Sequence, residues 1–134
     1  MQYVLVGGHA VRLNGFVRST EYIDILLPSS IDNGRKVIRA LNFLPSSAEL
    51  DPWVEVDPAA PENIRVADEL LVDLLFAANG QTFESLQPHV RKIEVEGVPI
   101  ATLEIEGLLK TKTDYREKDL IDKSVLTKLK NAMK

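Results

Sequence analysis

Two aspartates that each interrupt an otherwise apolar strand place the strongest constraint on this chain. Asp24 lies in the sequence YIDILL (22–27), and Asp73 lies in LLVDLLF (70–76). An ionised carboxylate buried without a partner is costly, so each must be ion-paired, hydrogen-bonded or bound to a metal. For either aspartate alone, pairing with Arg18 or with backbone amides is as good an explanation as a metal. Two of them on neighbouring strands favour a divalent cation, and carboxylate oxygens suit Mg²⁺ completed by substrate phosphates.

A glycine pair forms the second candidate feature. Gly7 and Gly8 stand between a predicted strand and a predicted helix, where glycine allows the backbone to approach a ligand closely. The helix start that follows favours an anion. Arg18 and Thr20 precede the Asp24 strand and can donate hydrogen bonds to phosphate oxygens. Together they predict a phosphate next to a cation held by Asp24.

The pattern of apolar residues and of Gly and Pro predicts an α+β (α/β) domain. Predicted strands cover 3–6, 22–27, 63–67, 70–77, 90–95 and 98–103, the last two as a hairpin around Glu96-Gly97. Predicted helices cover 9–14, 31–43, 104–113 and 118–130, with a short helical piece at 82–86 stopped by Pro88. Loops are expected at 16–20 and 45–62. The expected organisation is one domain over 1–134, with a core at about 1–103 and a C-terminal helical segment at about 104–134.

Composition favours a cytoplasmic protein. The chain is 45% apolar and 27% charged, as in ordinary globular proteins. It contains no cysteine, which excludes disulfides and thiolate metal sites, and it has no apolar run long enough to span a membrane. Acidic residues dominate 1–109 and basic residues dominate 110–134. The basic segment can contact phosphate, RNA or an acidic partner, although a solvated helix face is the favoured interpretation.

The last predicted helix carries one apolar stripe on its surface. The stripe consists of Leu120, Ile121, Val125, Leu126 and Leu129. Asp119 and Asp122 are expected to form solvated ion pairs with Arg116 and Lys118.

The motifs resemble those of nucleotidyltransferase-fold proteins, most closely the minimal nucleotidyltransferases and the AbiEii-like toxin–antitoxin relatives. The resemblance rests on GGHAV (7–11), GFVRSTEYIDIL (15–26), VDL (72–74), LLKTK (108–112) and REKDLID (116–122). It implies a mixed β-sheet flanked by helices, with further helices at the C-terminal end. It also implies transfer of a nucleotidyl group from a Mg²⁺–NTP complex to an acceptor, which in relatives is a small molecule, a protein side chain or an RNA end.

The resemblance also implies roles for particular residues. Gly7 and Gly8 would hold phosphate, Asp24 and Asp73 would hold the metal as catalytic carboxylates, and Lys112 would lie near the nucleotide. Asp73 would additionally sit where the acceptor hydroxyl is activated.

The chain departs from the family pattern at its first metal ligand, where it has Tyr22 instead of aspartate. A neutral phenol, with a pKa near ~10, is a poor Mg²⁺ ligand. Glu21 is adjacent, but strand geometry points it to the opposite face. Either the protein transfers nucleotides with one weakly held cation, or it is an impaired nucleotide-binding or regulatory protein, such as half of a toxin–antitoxin pair. A plain structural or oligomerising module is the third reading, which the glycine pair and the two aspartates argue against. Whether it is an enzyme stays open.

Relatives also usually carry a helix before the first strand. One sheet face is therefore expected to be incompletely covered, and a second copy of the chain or a small helical protein would be the partner that covers it.

Overall fold

A six-stranded mixed sheet forms the centre of the computed structural model, which describes residues 1–15, 22–44, 63–67 and 70–132. The strands are β1 (Val4–Val6), β2 (Tyr22–Leu26), β3 (Ile64–Ala67), β4 (Leu71–Leu75), β5 (Val90–Val95) and β6 (Val98–Leu103). Their order across the sheet is β3-β4-β2-β1-β6-β5. The pairs β2–β4 and β1–β6 are parallel, and the other neighbours are antiparallel. The loops expected at 16–20 and 45–62 lie outside the described residues.

Four α-helices occur in the described ranges, and none of them is long and apolar enough to cross a membrane. They are α1 (Gly7–Leu13), α2 (Ile31–Ala40), α3 (Ile105–Thr111) and α4 (Glu117–Ala132). The predicted α+β class with a mixed sheet and C-terminal helices is therefore confirmed. The helical piece expected at 82–86 is wrong: 83–86 form turns, and a 3₁₀ helix covers Gln87–His89. Pro88 lies inside that helix, because proline is tolerated in the first turn, where no backbone donor is needed.

The β5–β6 hairpin has the predicted strands and turn. Val95 pairs with Val98, and both turn residues have positive φ, 51° at Glu96 and 81° at Gly97. Glycine adopts this conformation without strain, which explains why the chain reverses at this point.

The two faces of the sheet are covered by different helices. One face carries Val72 and Leu74 of β4 and packs with Val37 of α2. On the other face, Leu26 of β2 belongs to a buried cluster with Leu108 of α3 and Leu126 of α4. Side chains alternate between faces along a strand, so Asp24 shares the face of Leu26, on the side of α3 and α4.

The apolar stripe expected on α4 is partly wrong. Leu126 is fully buried, but Leu120 and Ile121 are 48% and 52% exposed. The inward position one turn before Leu126 belongs to Asp122, which is 1% exposed because it forms a buried ion pair with Lys112. The apolar period therefore identified the inward side correctly at Leu126 and Leu129 but not at Leu120 and Ile121.

A groove of about 460 Å³ lies among α1, β2 and the β5–β6 hairpin. It is lined by Tyr3, Leu5, His9, Arg12, Leu13, Ile23, Ile25, Val95 and Ile100. The partner chain expected on an incompletely covered sheet face stays a prediction.

Candidate functional site

The structure brings the two predicted aspartates together on the inner strands of the sheet. In the parallel pairing of β2 with β4, Asp24 and Asp73 are direct Cα partners. Paired residues project from the same face, so both carboxyl groups lie on one side. Tyr22 precedes Asp24 by two residues and therefore shares this face. Whether the two carboxylates bind a metal stays a prediction.

Gly7 forms a corner directly against Asp24. Its φ is +69°, and a Cβ atom at this position would lie 2.1 Å from Oδ2 of Asp24. No side chain fits in that space, and the backbone conformation itself strains other residues. Gly7 therefore lies against the Asp24 carboxyl, and a phosphate at Gly7 and Gly8 stays a prediction. Arg18 and Thr20, the other predicted phosphate ligands, lie outside the described residues.

The environment of Asp24 disfavours its charged form. Burial under the flanking elements, the nearby charge of Asp73 and a hydrogen bond with Asp73 raise the pKa of Asp24 from 3.8 to about 6. The positive charges of Lys112 and Arg65 act in the opposite direction. Two carboxyl groups this close attract a cation, because a cation removes their mutual repulsion.

This shift predicts how the stability of the ligand-free protein depends on pH. The pKa of Asp24 is higher in the folded state, so its contribution to stability is complete below about pH 4 and is lost as the pH rises through 6. Asp24→Asn removes the ionisation. Allowing for solvent screening, we expect this variant to melt about 3–6 °C above wild type at pH 8 and to lose that advantage at pH 4. Thermal denaturation at both pH values, without metal or nucleotide, measures the difference; a pH-independent difference would contradict it.

Arg65 is a site residue that the sequence interpretation missed. On β3 it is the antiparallel partner of Asp73. Its Nε donates to Oδ1 of Asp73 at 2.7 Å, and its Nη2 donates to Oδ2 at 3.1 Å. The sequence suggested Arg18 as the partner of a buried aspartate. The pairing of strands 63–67 and 70–77 was the available signal, but its register decides which residue faces Asp73.

Tyr22 contacts the same arginine. The guanidinium carbon of Arg65 lies 4.1 Å from the centre of the Tyr22 ring, and Nη1 lies 3.4 Å from the phenol oxygen. This is the geometry of a cation–π contact. Position 22, where the resemblance led us to expect a carboxylate, thus carries an aromatic ring beneath a guanidinium. Glu21 lies outside the described residues.

Lys112 follows α3 and is only 6% exposed. Its Nζ lies 3.0 Å from Oδ2 of Asp122 on α4. The lysine is close enough for its charge to lower the pKa of Asp24, so it borders the site while its ammonium is held by Asp122. Its predicted contact with a nucleotide stays a prediction.

The expectation of solvated pairs for Asp119 and Asp122 is wrong. Asp122 is buried against Lys112, and Asp119 accepts hydrogen bonds from the backbone N and Oγ1 of Thr113, at 2.9 and 2.7 Å. Both carboxylates of α4 therefore fix the segment between α3 and α4, since Asp122 binds Lys112 and Asp119 binds Thr113.

The donor set fits one divalent cation better than two. Asp24 and Asp73 supply carboxylate oxygens on one face, and the backbone of Gly7 lies directly against the carboxyl group of Asp24. Among the described residues, no group of three His, Asp or Glu side chains could hold a metal. Two protein ligands completed by phosphate oxygens suit a single Mg²⁺, whereas two-metal displacement needs more bridging carboxylates.

No protein-family model and no curated protein matches the sequence. Among solved structures, the chain is similar to the crystal structure of the lincosamide antibiotic adenylyltransferase LnuA with lincomycin bound. The TM-score is 0.60 and the sequence identity is 20%, over 96% of this chain and 87% of that one. This likeness shows that the chain has the fold of a nucleotidyltransferase.

Proposed function

We propose that the chain binds a nucleoside triphosphate with one Mg²⁺ and transfers its nucleotidyl group to an acceptor hydroxyl. The hydroxyl oxygen would bond to the α-phosphorus as the bond to the β-phosphate breaks, and pyrophosphate would leave. The observation that carries the proposal is the register that sets Asp24 beside Asp73, directly against the Gly7 corner. The fold of a nucleotidyltransferase also supports the proposal. Because one fold can carry several activities, the proposal is argued from the site.

Each part of the site has a chemical task in this proposal. Asp24 and Asp73 would hold the cation, and the backbone at Gly7-Gly8 would approach the phosphates. The cation would supply charge neutralisation at the phosphate that reacts. Asp73 would accept the proton of the acceptor hydroxyl on a lone pair that the two bonds from Arg65 leave free, because each carboxylate oxygen has two lone pairs.

A second candidate is a nucleotide-binding or regulatory protein without efficient catalysis. The observation that favours it is the pair formed by Tyr22 and Arg65, which replaces one metal carboxylate and occupies both oxygens of Asp73. The resemblance to toxin–antitoxin relatives fits this candidate, with a small helical protein or a second copy as the partner. For the enzyme, the acceptor would be a small molecule, a protein side chain or an RNA end.

Thermal stabilisation by nucleotide tests the shared claim. A ligand that binds only the folded state stabilises it by about 2.7 kcal/mol at a hundredfold excess over its Kd. We therefore expect millimolar ATP with Mg²⁺ to raise the melting temperature of the full chain by several degrees. Asp24→Ala should abolish this rise. Asp32→Ala is the matched control, because Asp32 is an exposed residue of α2 whose side chain is 85% exposed.

The outcomes separate the candidates. No shift with any of the four NTPs would remove the nucleotide-binding proposal altogether. A shift together with transfer of label from an NTP would favour the enzyme, and a shift without transfer would favour the regulatory protein.

A further inference from the structure

Arg65 provides a positive charge at the candidate site that the sequence did not predict. Its side chain is 54% exposed, while the carboxylate of Asp73 beneath it is only 17% exposed. The guanidinium therefore covers one carboxylate of the pair and separates it from solvent. Its charge also acts on Asp24, whose pKa it lowers.

Arg65 is held from two directions. The two bonds to Asp73 form a fork, which fixes the plane of the guanidinium as well as its position. The ring of Tyr22 supports the face of that plane at 4.1 Å. A planar, delocalised guanidinium can form the fork and stack on the ring at the same time, whereas the ammonium of a lysine cannot. The guanidinium is thus preorganised before any ligand arrives.

The hydrogen-bond inventory of Arg65 leaves donors for a ligand. A guanidinium carries five N–H groups. Two are used on Asp73, and one on Nη1 is near the phenol oxygen of Tyr22. The two remaining N–H groups, one on each terminal nitrogen, have no partner among the described residues. The side chain that carries them is 54% exposed, and its charge acts on both carboxyl groups of the pair.

Resting on the proposed function, we propose that Arg65 acts as a built-in cation that binds phosphate oxygens of the nucleotide directly. Two carboxylates alone would repel a polyphosphate, and Tyr22 leaves the site too poor in ligands for a second metal ion. A fixed guanidinium supplies part of the missing positive charge. Nucleotide binding by this chain should then persist when divalent metal is removed.

The same geometry makes Arg65 a competitor of the metal for Asp73. When the guanidinium is absent, both oxygens of Asp73 become available to a cation. Removing Arg65 should therefore weaken metal-free binding strongly and metal-supported binding weakly, so that the dependence on Mg²⁺ increases. A residue that acts only on folding would weaken both equally.

Titration of the full chain with a fluorescent ATP analogue, in Mg²⁺ and in EDTA, tests this inference. We expect wild-type Kd values within about tenfold of each other in the two buffers. Arg65→Met keeps the apolar stem and removes the charge. It should bind at least about tenfold more weakly than wild type in EDTA, and within about threefold of wild type in Mg²⁺. Arg39→Met, at an exposed position on α2, is the matched control and should behave as wild type.

Folding of Arg65→Met is checked by circular dichroism and by a cooperative thermal transition. Its melting temperature should fall, because the carboxylate of Asp73, only 17% exposed, loses its partner. Arg65→Lys keeps the charge without the fork and should fall between wild type and Arg65→Met in EDTA. Equal or tighter metal-free binding by folded Arg65→Met would overturn the inference alone. Wild-type binding only with Mg²⁺ would also overturn it while leaving the proposed function intact. Wild type that binds in neither buffer would overturn both.

Discussion

Replacing Asp122 by alanine is expected to lower the free energy of unfolding by about 3–5 kcal/mol, because the buried ammonium of Lys112 would lose its carboxylate. Asp122 is 1% exposed and Lys112 is 6% exposed, so water cannot take the place of the missing partner. Urea denaturation followed by circular dichroism measures the loss. The same change should also weaken the attachment of α4 to the segment that contains Lys112. That segment borders the candidate site.

Two controls separate the buried charge from a general effect of mutation. The double variant Lys112→Met/Asp122→Asn removes both charges with similar volumes and should recover much of the lost stability, since it leaves no unpaired buried charge. Asp114→Ala removes the exposed partner of Lys123 and should change stability by less than about 1 kcal/mol. If Asp122→Ala were as mild as Asp114→Ala, the pair would not be the buried contact described above.

Tyr22→Asp is expected to create or greatly increase metal-dependent turnover of NTP, by on the order of 100-fold. Position 22 faces the same side as Asp24, so a carboxylate there would join the existing pair and supply the third oxygen ligand. Electrostatic groups of this kind contribute about 10²–10³-fold to reaction rates. Release of label from each of the four NTPs, with and without Mg²⁺, measures the gain.

A second substitution, at the neighbouring Arg65, makes this experiment more discriminating. Arg65 already contacts Asp73 and Tyr22, so it would compete with the metal for the new carboxylate. The double variant Tyr22→Asp/Arg65→Met should therefore gain more metal dependence than Tyr22→Asp alone. Tyr115→Asp, at a position that is 77% exposed, is the matched control. An inert double variant would mean that the site lacks more than its first carboxylate.

Local sequence patterns were sufficient for most of the fold. The β5–β6 hairpin follows from alternating apolar residues around Glu96-Gly97, which reverse the chain through positive φ. The strands around Asp24 and Asp73 are recognisable because β-branched and leucine-rich runs buried on both faces need no tertiary information to be identified. The helical piece expected at 82–86 failed because turns and a short 3₁₀ helix obey similar residue preferences.

Some features of the candidate site were likewise predictable from the sequence, and others were not. An aspartate inside an apolar strand must find a partner, whatever the topology, so the sequence alone singled out Asp24 and Asp73. The proximity of Asp24 to Gly7 was also predictable, because the chain turns at Gly7 between neighbouring elements. The partner of Asp73 was not predictable, because a shift of one residue in the pairing of β3 with β4 would turn Arg65 to the other face.

The sequence by itself determined the strands, the glycine corner and the two acidic residues that need compensation, because these depend on local conformation and on the cost of burying charge. Only the tertiary structure decided which cation compensates which carboxylate: Arg65 meets Asp73 and Tyr22, and Lys112 meets Asp122. The physical reason is that ion pairs form between residues distant in sequence, at positions set by strand register and by the rotation of a helix about its axis.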